Sequence, residues 1–359
     1  MKIGDLCTYA PKSSIKAGDA IIDGRYMFFT SSSDENKRYS DYQLDCEGII
    51  MGTGGNATLH YYNGKFATST DCVVLLSNET IRCKYLYYFF LSNMDILESG
   101  FKGAGLKHTN KNYINSINIS SVPSFEMQDR VIKVLDKVQS IIDKRQQQLE
   151  KLDELVKSRF VEMFGDCDLT AQKKEWKTVR EVGTVVGGST PKTSVAGYWN
   201  GEYRWLSPAE LEQDSGIIFD SVKKITKAGV ESCSLQELPV GTVILSSRAP
   251  IGKLAIAGNT FYCNQGFKNI VCSERVVPQY LYSLLLFNTE YLNSLGRGAT
   301  FKEISKSIVE NIKIPVPPIE LQEQFAAFVE QTDKSKLEIQ KSLEKLEVLK
   351  KALMQKYFG

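Results

Sequence analysis

The chain has 359 residues, 42% of them apolar and 24% charged, with 44 Lys plus Arg against 42 Asp plus Glu and a formal net charge of +2. Those values describe a globular protein with room for two domains and exclude a polybasic chain, so any nucleic-acid binding must come from a local patch. Nothing approaches eighteen uncharged apolar residues in a row and the start, MKIGDLCTYAPK, lacks the apolar core of a signal peptide, so the expected compartment is the cytoplasm, away from membranes.

Residues 1–122 read as a mixed, β-rich domain. IKAGDAIIDGRYMFFTSSS and GIIMGTGGNATLHYYNGKFAT look like strands punctuated by glycine turns, and YLYYFFLSN at 85–93 is an apolar helix. FKGAGLKHTNKNYINSINI at 101–119 is then a basic, polar loop leading into a short strand. Residues 123–165 form a long helix, 166–176 a polar linker, 177–315 a second domain and 316–359 a second long helix. The second domain repeats the first in outline. GRGATFKEISKSIVENIKI at 296–314 aligns on 101–119, with Gly298, Ala299, Lys302, Lys306, Ile312 and Ile314 identical to Gly103, Ala104, Lys107, Lys111, Ile117 and Ile119. The helices repeat as well. LEKLDELVKSRFVEMFG at 149–165 returns as LEKLEVLKKALMQKYFG at 343–359, with eight of seventeen positions identical.

Apolar residues fall at alternating spacings of four and three, the seam of a coiled coil. The first seam is Val131, Leu135, Val138, Ile142, Arg145, Leu149, Leu152, Val156, Arg159 and Met163. The second is Phe325, Val329, Thr332, Lys336, Ile339, Leu343, Leu346, Lys350, Leu353 and Tyr357. A stripe of that length needs a partner, and the nearest is its own repeat. The expected fold is therefore α+β: two β-rich globular domains separated by two long antiparallel helices, with an internal pseudo-two-fold repeat. Beside the seam, Val134, Ile141, Leu155, Phe160, Phe328 and Leu349 add apolar surface and are candidates for a partner interface.

Catalytic and metal motifs fail when examined closely. FKGAG follows a helix rather than a strand, its repeat partner is GRGAT, and no Asn-Pro-Pro-Tyr or Asp-Pro-Pro-Tyr sequence exists. Eight cysteines without a CxxC pair and two histidines offer neither a zinc site nor a disulfide framework. No catalytic residue, metal ligand or cofactor is assigned to this chain. What accumulates is cationic and hydrogen-bonding side chains in glycine-rich loops: Lys12, Ser31, Ser32, Thr53, Asn56, Lys102 and Lys107 in the first domain, and Lys192, Arg204, Ser207, Ser247, Arg248, Gln265, Arg297 and Lys302 in the second. Arg, Asn and Gln can read base edges, while Ser, Thr and Lys fix phosphates, so these are candidate DNA contacts.

IPVPPIELQEQFAAFVEQTDK leading into EIQKSLEKLEVLKKALMQKYFG, with its weaker first copy, resembles the conserved helical regions of the specificity subunit of type I restriction-modification enzymes. WKTVREVGTVVGGSTPKTSVAGYWNGEYRWLSPAEL and GRYMFFTSSS resemble openings of that family's target recognition domains. The resemblance implies a subunit that catalyses nothing. Each domain would read one half of a bipartite, asymmetric site on double-stranded DNA, and the helices would act as spacer and docking site for two methyltransferase subunits. S-adenosylmethionine, ATP and Mg²⁺ would belong to those and to the restriction subunits. One departure is the first helix's proline-rich start, reduced to Val122-Pro123-Ser124. A non-catalytic protein-binding scaffold with a coiled-coil spacer is the alternative; a single-chain modification enzyme is opposed by the missing motifs.

Overall fold

The computed structural model describes residues 1–103, 105, 107–298 and 302–359. It resolves into two compact units: unit 1 comprises Met1–Gln147 and Ile339–Gly359, and unit 2 comprises Gln148–Glu338. The division falls inside both long helices, Phe125–Phe164 and Ile319–Phe358, so each unit contains the start of one and the end of the other. Each helix has 40 residues and is roughly 60 Å long. Neither contains Gly or Pro, and Glu126 and Glu320 sit in the first turns, where the helix dipole favours a carboxylate. Gly165 ends the first helix at φ +77°, its N–H donating to the Val161 carbonyl at 2.8 Å. All twenty seam positions are buried or half-buried.

In unit 1, β1 (Cys7–Tyr9), β2 (Tyr26–Phe29), β3 (Arg38–Tyr39), β4 (Leu44–Gly52), β5 (Leu59–Thr68) and β6 (Cys72–Ser77) form one sheet in the order β1-β6-β4-β5-β2-β3. The apolar helix Cys83–Ser92 contributes Leu86, Phe89 and Phe90 to the core beside Ile49, Met51 and Leu75 of the sheet. The long helices close that core: Val131 and Leu135 come from the first and Met354 from the second, while Phe358 packs on Tyr85 at 5.0 Å. Lys350 Nζ donates to Gln139 Oε1 at 2.6 Å. As one helix ascends from Leu135 to Gln139 the other descends from Met354 to Lys350, so they run antiparallel here.

Unit 2 contains β7 (Lys177–Thr178), β8 (Gly183–Gly187), β9 (Trp199–Leu206), β10 (Asp214–Ile218), β11 (Lys223–Ile225), β12 (Val243–Leu245), β13 (Leu254–Ala257), β14 (Tyr262–Cys263), β15 (Lys268–Cys272) and β16 (Lys313–Ile314). They make sheets of order β10-β13-β12-β15-β8, β11-β9-β14 and β16-β7. The apolar helix Pro278–Phe287 matches Cys83–Ser92 in length and place in the repeat. Here Phe164, counterpart of Phe358, packs on Tyr280, counterpart of Tyr85, at 4.8 Å. Each long helix thus starts in its own repeat and ends on the apolar helix of the other. Lys336, a charged seam residue, is matched by Asp153 at 2.5 Å.

Two expectations change. Part of the expected loop at 101–119 is a short helix, Lys111–Ser116, because Asn110 caps it by accepting the Tyr113 N–H at 3.0 Å, and the strand expected after it is a single bridge of Asn118 with Lys2. Phe160 does not belong to a partner surface: it is 2% exposed, ringed by Phe164, Tyr280, Phe287 and Phe325 at 4.9 to 5.6 Å. Of the other five candidates, Val134 and Phe328 are half-buried, whereas Ile141, Leu155 and Leu349 are exposed.

Candidate nucleic-acid interface

The repeated glycine segment folds the same way in both units. In unit 1, Lys102 and His108 exchange backbone hydrogen bonds, each N–H donating to the other's carbonyl at 3.0 Å. In unit 2, Arg297 and Glu303 do the same at 3.1 and 3.0 Å. Gly103 follows the first arm at φ +150° and Gly298 at φ +120°, a region that strains any residue with a Cβ, which accounts for glycine in both copies. Ala104 and Ala299, also shared by the two sequences, lie outside the described residues. A capped six-residue helix follows each hairpin, Lys111–Ser116 and Lys306–Asn311, the second under Ser305, whose hydroxyl accepts the Ile308 N–H at 3.2 Å. Lys102, within FKGAG, therefore lies on the near arm of a hairpin. The residues shared across the copies, Lys102 with Arg297 and Lys107 with Lys302, place exposed cations on both arms.

The far arm of each hairpin docks on a neighbouring loop. In unit 1 His108 bridges Gly54; in unit 2 Glu303 bridges Arg248. Around Gly54, the Gly55 N–H donates to the Lys107 carbonyl at 2.9 Å, with the exposed Asn56 beside it. Ser31 and Thr53 hydroxyls both donate to the Asp71 carbonyl, at 2.6 and 3.0 Å, tying three loops together. Lys12 and Thr53 line one cleft with Thr70, Thr109 and Lys111. The Ser32 hydroxyl is engaged locally, accepting the Asp34 N–H at 3.0 Å.

In unit 2 the cluster is denser. Arg248 Nε–H donates to Glu303 Oε2 at 3.1 Å, and Lys268 Nζ lies 3.3 Å from the other oxygen of the same carboxylate. Lys268, 13% exposed, also donates to the Ser247 hydroxyl at 3.2 Å and the Gln265 carbonyl at 3.3 Å. The Thr190 hydroxyl donates to Gln265 Oε1. Burial pushes the Glu303 carboxyl up, but Lys268 and then Arg248 outweigh it and hold it below the ordinary glutamate range. A depressed folded-state value means this link is present above the ordinary range and is lost only as pH falls through the lowered one, so it is intact at neutral pH.

Not every candidate reaches this surface. Ser247 is a correction: it is fully buried, its N–H donating to the Gly266 carbonyl at 2.7 Å, so it braces the loops and cannot touch a ligand. Ser207 caps a short turn with Glu210, donating to Oε1 at 2.8 Å, and Arg204 is ion-paired to Asp220 at 3.3 Å. Lys192 is exposed, and its carbonyl accepts the Trp199 indole N–H at 3.3 Å. Sequence reasoning missed Glu303 and Lys268. The first is acidic and so falls outside a pattern of cations; the second sits in a strand whose other residues are core.

This architecture defines a duplicated protein: two β-rich units, each carrying one cation-bearing hairpin and each closed by a long helix from the other repeat. The chain belongs to the family described as type I restriction modification DNA specificity domain, whose model matches residues 1–154 and again 173–351. It is 39% identical to the type I restriction enzyme MjaIX specificity subunit of Methanocaldococcus jannaschii over 50% of this chain; the match spans 43% of that protein's length. It is 20% identical to the EcoDI specificity subunit of Escherichia coli over 100% of this chain and 87% of the relative. The S subunit of a type I restriction-modification system from M. genitalium shares its fold, with a TM-score of 0.65 at 15% identity, over 100% of this chain and 95% of that one.

Proposed function

We propose that this chain is the non-catalytic, sequence-specific DNA-recognition subunit of a type I restriction-modification complex. Residues 1–122 and 177–315 each read one half of a bipartite, asymmetric site; the long helices set the gap and dock two methyltransferase subunits. Those subunits hold S-adenosylmethionine, and restriction subunits use ATP and Mg²⁺. The observation that carries this is the hairpin kept in both units while their surroundings diverge. What two different readers share must serve what their half-sites share, and that is the phosphate backbone. The test is adenine-methylation mapping of genomic DNA from cells with and without the chain, methyltransferase subunit present in both. One two-part motif gained only with the chain is the expected result; unchanged methylation removes the proposal and leaves the protein-binding scaffold.

Two expected outcomes follow from the same roles. Lys102→Glu with Lys107→Glu, or Arg297→Glu with Lys302→Glu, should lower DNA affinity for all sequences. Each pair should reduce the slope of log affinity against log salt by about 2, measured by titration at several salt concentrations, with the methylated motif unchanged. An unchanged slope would remove the hairpins from the backbone. Separately, Leu155 and Leu349 are 48% and 46% exposed on the long helices. Changing both to Asp should abolish co-purification with the methyltransferase subunits while the chain stays folded; retained co-purification would place the docking surface elsewhere.

A further inference from the structure

We infer that Arg248 is a guanine-reading residue of unit 2, aimed by Glu303 and Lys268. The inference rests on the DNA-recognition role above and extends it to one side chain and one base. It begins from a difference between the repeats. The hairpin is common to both units, but the residue its far arm docks against is not: Gly54 faces His108 in unit 1, and Arg248 faces Glu303 in unit 2. If the shared cations hold the shared backbone, a cation present in one unit alone serves what differs between half-sites, which is base identity.

The geometry supplies the aim. Arg248 is half exposed, and its guanidinium is fixed from behind by the 3.1 Å bond from Nε–H to Glu303. Glu303 is in turn fixed by backbone bonds on both arms of the hairpin and by Lys268, which Ser247 and the Gln265 carbonyl hold. With Nε occupied, the edge left to solvent is the pair Nη1 and Nη2, whose two parallel N–H groups match two acceptors side by side. Guanine presents O6 and N7 in that way on its major-groove edge; adenine, cytosine and thymine do not. Lys268 balances the charge of Glu303, so the carboxylate that orients the arginine does not repel nearby phosphates. A phosphate contact needs no such support: Lys102, Lys107, Arg297 and Lys302 are exposed.

The test combines motif mapping with base analogues, using the full chain with its methyltransferase subunits. Wild type should require a guanine at one position of one half-site, and replacing that base with 7-deazaguanine, which lacks N7, should weaken binding roughly tenfold or more. Arg248→Ala should lose the guanine requirement at that position only and show no further loss with the analogue. Arg248→Lys, which keeps the charge but offers no fork, should fail to restore it. Glu303→Ala should relax the same position by a smaller factor, and Glu303→Gln, which can still accept from Nε–H, should retain more of the preference. If Arg248→Ala weakens all sequences equally and leaves the motif intact, or if no half-site contains a required guanine, the inference is wrong. Absence of any two-part motif with wild type would instead overturn the recognition role itself.

Discussion

Phe160→Ala should cost unit 2 about 3–5 kcal/mol, read as a lower urea midpoint at unchanged slope. Phe160 is 2% exposed and meets four rings: Phe164 at 4.9 Å, Phe287 and Phe325 at 5.3 Å, and Tyr280, stacked, at 5.6 Å. Truncation removes the transfer free energy of a phenyl ring and leaves a cavity whose walls come from both long helices and the apolar helix, elements that cannot all move in. The lost edge-to-face contacts with Phe287 and Phe325, about 0.5–1.5 kcal/mol each, place the cost toward the upper end of that range. A domain holds only about 5–15 kcal/mol in total, so the loss is a large share of it. Leu155, on the same helix and 48% exposed, is the internal control: Leu155→Ala should cost under about 1 kcal/mol. Equal midpoints for the two variants would show that the aromatic cluster does not hold the helix end.

The same two residues mark how far the sequence could be read. Every seam position is at least half-buried because a 3.5-residue period fixes which side of a helix meets its partner, whatever surrounds the pair. Phe160 lies just off that seam, and a two-helix picture leaves such a flank in solvent. In the structure Tyr280 and Phe287 of the apolar helix form a third layer over it, a long-range contact that periodicity does not encode. Ser247 shows the converse: a serine in a glycine-rich loop reads as surface, yet strand pairing turns it inward to brace Lys268. The hairpin was visible only through the repeat. The glycines repeated at 103 and 298 are legible as letters, while the positive φ that explains them, and the pairing of Glu303 with Arg248, required coordinates.

Gln128→Leu and Gln322→Leu should each destabilise their own unit by about 2–4 kcal/mol, more than a single neutral hydrogen bond is worth. Both glutamines are fully buried in the first turn of a long helix, at matched positions of the repeat. Gln322 Oε1 accepts the Val277 N–H at 2.9 Å, and its Nε2 donates to the Pro317 carbonyl at 2.8 Å and the Arg275 carbonyl at 3.1 Å. Gln128 repeats the pattern: it accepts from the Arg82 N–H at 2.7 Å and donates to the Pro123 carbonyl at 2.9 Å and the Thr80 carbonyl at 3.4 Å. Pro123 and Pro317 thus play one role, although only the second helix carries the full proline-rich start. One amide joins three backbone segments: the turn before the apolar helix, the N–H at its start, and the entry to the long helix. Leucine preserves the volume but strips one N–H and two carbonyls of their partner; the bonds are part-buried, so each loss costs about 1 kcal/mol. Alanine should cost less than leucine if water enters the space and satisfies those groups, and glutamate more than leucine, because its carboxylate would face two carbonyls. That order, measured by urea unfolding, separates a hydrogen-bonded weld from simple packing, under which leucine would be the mildest of the three. A long helix can act as a spacer only if its start is fixed to the unit that reads, and in each unit this buried amide ties the two together.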